Sequence, residues 1–166
     1  FATFRGTTPI IMIFLARSGQ YIKGLEFLEL NTDGTITSKG LDSKGADGVK
    51  IDFGPQRLQQ TKSVYYFSSD LSDSGFDSSG FETWLESHPK GNAYLKAASF
   101  LMHQSWFSKV RNHLLEYSDQ IVQDDSGIPF KYFKADEWYV DLYGVYTGPI
   151  DLFAEYYQRD MRAAYE

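Results

Sequence analysis

The sequence predicts an α+β fold, a mainly antiparallel sheet with helices packed on one face. Three observations predict it. Segments of alternating or branched apolar residues crowd the first third of the 166 residues, hairpin turn chemistry separates them, and a helical period takes over after residue 80. A regular strand–helix alternation is missing, so a doubly wound parallel sheet is not expected.

Residues 10–16 (IIMIFLA) are the longest purely apolar run and read as a buried strand. Arg17, Ser18, Gly19 and Gln20 make a turn, and residues 21–30 pair back antiparallel. Asn31, Thr32, Asp33 and Gly34 then precede Thr35, Ile36 and Thr37; an Asp-Gly step signals a hairpin because glycine accepts positive φ. Residues 38–48 are polar with three glycines and read as a surface loop. Residues 49–53 and 64–68 supply further strands. At least four strands are expected, drawn from residues 9–68 and 130–146.

Residues 70–80 read as a Ser/Asp/Gly loop. Ser79 with Glu82 fits a capping box, followed by Phe81, Trp84 and Leu85 at helical spacing, with Pro89 as the stop. Asn92 caps a helix over 93–104. Ser105 caps a longer one with Phe107, Val110, Leu114 and Ile121 on one face. Residues 124–129 form a turn, and 130–133 and 138–146 are strand-like. Gly148 and Pro149 open a final helix reaching Tyr165, whose stripe is Ile150, Phe153, Ala154, Tyr157, Met161 and Ala164. No repeat or low-complexity linker interrupts the chain, so residues 1–166 are expected to form a single domain.

Composition narrows the function classes. A net charge of −6, with 16 Lys and Arg scattered rather than clustered, argues against a nucleic-acid partner. With no cysteine there is no thiol nucleophile and no Cys-ligated zinc or iron–sulfur site. The apolar run of seven residues falls far short of the roughly 20 that a transmembrane helix needs. Compartment stays open, since any targeting segment would lie outside this chain, which starts at Phe1 rather than Met. Aromatic residues make up 17% of the sequence, enough to build a core and to supply an interface with another protein chain.

No strong catalytic signature is present. Asp70, Ser72, Ser74, Gly75 and Asp77 follow the rhythm of a calcium loop, but position 12 is Phe81 and no helix precedes it. His88, His103 and His113 form no HxxxH pair, so no zinc site is expected. There is no GxSxG elbow, no GxGxxG and no phosphate loop, so no catalytic, metal-ligating or cofactor-binding residue is assigned, and no cofactor. The strongest local feature is Asp124, Asp125 and Ser126. Read as adjacent acids at a helix end, they oppose the helix dipole; they fit either a ligand site with a raised carboxyl pKa or a plain turn closed by Gly127 and Pro129.

Residues 65–72, 94–103, 123–133 and 142–150 together resemble a family of conserved, mostly bacterial proteins to which no activity is attached. The similarity runs from about Thr8 to Tyr165. It implies a recurrent fold, and that this chain is the carboxy-terminal part of a longer protein. It transfers no site residue.

The expectation that follows is a non-catalytic binding or assembly protein, an accessory subunit of a larger complex. Tyr156 and Tyr165, off the final stripe, are the nominated partner-facing residues. The alternative is a small-ligand-binding protein or enzyme using the carboxylates near Asp124 and Asp125.

Overall fold

The apolar run at residues 10–16 is helical, not extended. In the computed structural model, which describes residues 4–40, 45–57 and 60–166, helix α1 spans Phe4–Arg17. A short all-apolar run carries no period of its own, so its flanking residues decide between strand and helix. Ile11, Met12 and Leu15 share one side of α1 and pack against Val49 and Ile51, both 0% exposed. Gly19 (φ +73°) ends the helix in the left-handed conformation that favours glycine.

The next four segments form one antiparallel sheet: β1 (Tyr21–Leu30), β2 (Ile36–Lys39), β3 (Gly48–Gly54) and β4 (Lys62–Phe67). Their order is β2-β1-β3-β4, and a register shift between Ile22 and Gly24 marks an irregularity in β1. β1 therefore pairs with β2 and β3, not with residues 10–16. The hairpin at 31–34 is present, with Gly34 at φ +80°. Asp33 Oδ1 accepts from Thr35 N and Oγ, while Asn31 Nδ2 donates to the hydroxyls of Thr35 and Thr37. Of the expected loop over 38–48, residues 41–44 lie outside the described residues.

Along β4 the period of two sends side chains to opposite faces. Val64 and Tyr66 join the α1 side. Tyr65 and Phe67 meet an aromatic cluster with Phe81 and Trp84, and Phe67 and Trp84 lie 5.0 Å apart edge to face. Phe81 and Trp84 belong to helix α3 (Phe81–Glu86), the short helix expected there. Ser79 Oγ accepts from Phe81 N at 3.3 Å. The expected loop over 70–80 instead holds helix α2 (Asp73–Ser78). Its Ser, Gly and Asp content hides it, because these residues favour turns over helix interiors.

The chain divides into two compact units. One is the chain up to Asp70 with Gly75–Leu85; the other is Leu71–Ser74 with Glu86–Glu166. The first is the sheet unit just described.

The second unit departs furthest from expectation. Residues 93–104 are not a helix: β5 (Gly91–Leu95) pairs in parallel with β6 (Ser118–Gln123). Between the strands run 3-10 turns at Ala98–His103 and Ser105–Phe107, then α4 (Ser108–Tyr117). Ile121 thus lies on a strand, beyond the helix that was expected to carry it. Parallel pairing is a long-range event, which no local period announces. Asp73 caps α4, accepting from Ser108 Oγ and Lys109 N at 2.8 Å each. Arg111 is buried, donates to Met102 O at 2.8 Å and lies 4.2 Å from the centre of the Tyr132 ring.

The last third is mostly irregular. Residues 130–132 form a 3-10 turn and 138–146 form no strand. Strand-forming residues become a strand only through a ladder, and among the described residues these form none. The final helix is broken into a 3-10 segment (Asp151–Tyr156) and α5 (Arg159–Ala164). Gln158 explains the break. Its backbone N donates to Tyr146 Oη, its Oε1 accepts from Phe130 N, and its Nε2 donates to Asp125 O. These bonds hold Gln158 extended (φ −102°, ψ 98°), so the stripe from Ile150 to Ala164 cannot be continuous. Among the described residues no helix is long and apolar enough to cross a membrane.

Candidate functional site

Asp124, Asp125 and Ser126 follow β6, not a helix, so no helix dipole acts on them. The turn is tightly bonded. Asp124 Oδ1 accepts from Ser126 N at 3.0 Å and from Ser126 Oγ, and Oδ2 accepts from Lys96 Nζ at 2.6 Å. Ser126 Oγ in turn accepts from Ala97 N at 3.1 Å. Gln123 brackets the turn through Ile128 N and O. A side chain at Gly127 would collide with Gln123, which is why glycine sits there.

The electrostatics follow this bonding. Burial works to raise the Asp124 pKa, but the bonds from Lys96 and Ser126 outweigh it and hold the carboxyl below its usual range. Burial and then the neighbouring Asp124 charge push Asp125 up. Burial also lowers His103, whose ring meets the stacked pair Phe100 and Tyr156 edge-on, with Nε2 3.1 Å from Asp125 O. The turn thus separates two adjacent carboxyls by environment, and the lower one is already committed to structural bonds.

The two nominated tyrosines are half-buried inside this unit. Tyr156 stacks on Phe100 at 5.1 Å and its hydroxyl takes a bond from Gln104 Nε2. Tyr165 donates to Tyr143 O at 3.0 Å and stacks on Tyr146.

Tyr165 does border a cleft of about 660 Å³. One wall is β6, continuing into Asp124; the facing wall is the irregular stretch 137–143, and Met161 of α5 contributes with Tyr165. The cleft mixes acids (Asp119, Asp141) with rings (Phe133, Trp138, Tyr139). No motif in the sequence marks this site. Its residues come from segments about 20 apart that only the fold joins, although the strand-like composition of 138–146 was a visible signal.

A second cleft of about 510 Å³ lies between 96–100, the 124–126 turn and 148–153. Beside it Ser99 (φ 59°) and Phe100 (φ 54°) occupy the left-handed region, a cost on the order of 1–3 kcal/mol each.

Comparison of the chain with family models, curated proteins and solved structures finds no match.

Proposed function

We propose that the chain is a non-catalytic binding or assembly protein, an accessory subunit that docks another protein through its second unit. One observation carries this reading. Between residues 139 and 152 the side chains of Tyr139, Tyr143, Val145 and Leu152 are 88, 82, 81 and 76% exposed. Single exposed apolar residues are ordinary, but this many large ones in one short stretch mark an interaction surface. Tyrosine suits the role because it gives a large contact area with few torsions to freeze.

The alternative, a small-ligand site or enzyme using Asp124 and Asp125, draws on the second cleft and its left-handed backbone. The bonds of Asp124 favour the docking reading: a carboxylate saturated by Lys96 and Ser126 has little left to offer a substrate.

The test is native purification of the chain, wild type against Tyr139→Ser/Tyr143→Ser/Leu152→Ser. A stoichiometric partner that the triple variant loses, with the variant's melting temperature retained, is the expected result. A wild-type chain that purifies alone, yet is stabilised by a small ligand whose effect Asp125→Asn abolishes, would replace this reading with the alternative.

A further inference from the structure

Among the described residues β6 pairs with β5 on one side alone, and the larger of the two clefts is lined by β6. All six residues of β6 line that cleft, while none of β5 does. Successive side chains of a strand point to opposite faces. A cavity that meets all six therefore runs along the edge of the strand rather than over one face. Such an edge presents backbone N–H and C=O groups to whatever enters. The facing wall, residues 137–143, is not in strand conformation and forms no ladder with β6. A two-stranded sheet is marginal by itself, so a third strand would be gained at little cost.

The charge of the cleft restricts the occupant. Its lining holds four acids, Asp119, Asp124, Glu137 and Asp141, and no Lys or Arg. Asp124 is paired with Lys96 and Glu137 with Lys134. Asp119 on β6 and Asp141 on the facing wall stand exposed. A second copy of this chain would bring the same acids to the same edge, and the whole chain carries −6. Like charges across a strand pair are destabilising, which argues against self-association here.

From this we infer that the cleft takes an extended, basic segment of a partner protein as a third strand on β6. Its backbone pairs with the open edge, its Lys or Arg side chains face Asp119 and Asp141, and its apolar side chains lie against Phe133, Trp138 and Tyr139. The inference rests on the docking function proposed above and adds the site and the chemistry of the partner.

The test uses a fluorescent six-residue peptide alternating lysine and valine, titrated by anisotropy onto the full chain. Controls are the glutamate–valine peptide and two lysine–valine peptides N-methylated on one or the other alternate set of residues. In strand addition only one alternate set faces the edge. Methylation of that set should weaken binding by about tenfold, as expected for losing two or more ladder hydrogen bonds, while the other set binds as the parent does. Asp119→Asn/Asp141→Asn should weaken the lysine peptide and flatten its salt dependence, with the melting temperature unchanged. Equal binding of both methylated peptides, or of the glutamate peptide, overturns strand addition. No binding of any peptide, with a native partner still lost in the Tyr139/Tyr143/Leu152 variant, overturns this inference and leaves the docking reading standing. Absence of any native partner defeats that reading instead.

Discussion

The sheet unit and the second unit of this chain are built by different means. In the first, four antiparallel strands satisfy one another's backbones, and Val49 and Ile51 bury completely beneath α1. In the second, two short strands pair in parallel, and Phe100, Met102, Val110 and Ile128 are buried. Side chains that bond to backbone add to this: Asp124, Ser126, Gln123, Gln158 and Arg111. The lesson concerns exposure. The first unit leaves Ile10, Ile13 and Phe14 of α1 53, 58 and 68% exposed, whereas the second leaves Tyr139, Tyr143, Val145 and Leu152 more exposed still, at 88, 82, 81 and 76%.

The largest effect that could break this contrast is in the sheet core. Ile51→Ala should cost about 2–5 kcal/mol, by lost transfer energy and the cavity left behind. Urea unfolding followed by circular dichroism measures it, and a loss under about 1 kcal/mol would show that the β3 core does not hold the first unit.

In the second unit the corresponding residue is polar. Arg111→Met keeps the volume but removes the bond to Met102 O and the cation over Tyr132. The expected cost is about 2–3 kcal/mol, from a charged hydrogen bond and a desolvated cation–π contact. Fluorescence of Trp106 and Trp138, the tryptophans of this unit, should report it during thermal melting. A neutral or stabilised variant would mean that apolar packing, not these polar contacts, orders this unit.

Ser126→Ala and Asp124→Ala should each cost about 0.5–2 kcal/mol, the range of local side-chain caps and turns. Unchanged melting temperatures in both would remove the turn from the structural account and favour its use as a ligand site.

Acidity sharpens the same contrast, because the perturbed residues of the turn differ in sign. His103 has a folded pKa below the ordinary 6.5 owing to burial. Its contribution is fully present above about pH 6.5 and declines as pH falls below that value, because the unfolded chain then binds the proton first. Asp124, lowered by its bonds, contributes above the ordinary carboxyl pKa and loses that contribution as pH falls through its folded pKa. Asp125, raised by burial, acts in the opposite sense and becomes less unfavourable as it takes up a proton. His103→Gln should therefore flatten the stability profile as pH falls below about 6.5. Denaturant midpoints across that range decide the matter; an unaltered slope would show that His103 is as solvated folded as unfolded.

The smallest effect is expected at the surface. Tyr139→Ser should change stability by less than about 0.5 kcal/mol, as substitutions of exposed side chains do. Tyr165→Phe, losing one bond to Tyr143 O, should cost about 0.5–1.5 kcal/mol. If Tyr139→Ser proved the more destabilising of the two, residues 139–152 would be part of the fold rather than a docking surface.

What the sequence by itself determined is the part governed by neighbours in the chain. The hairpin at Asn31–Gly34, the start of α3 at Phe81 and the turn at Asp124 rest on bonds within a few residues, and the α+β class and strands β1, β3 and β4 were legible in local alternation and turn chemistry. The tertiary structure decided the rest. Residues 10–16 are apolar enough for strand or helix, and the need to cover Val49 and Ile51 accompanies the helical choice. β5 exists because residues 118–123 supply a parallel partner about 28 positions away. Residues 138–146 have strand composition but form no ladder among the described residues, so they stay irregular. Gln158 interrupts a regular apolar stripe because its three bonds reach Phe130, Tyr146 and Asp125, none of them local. Hydrophobic period encodes which face of an element is buried, but not which distant backbone will claim its hydrogen bonds. In the second unit those distant bonds set both the fold and the cleft.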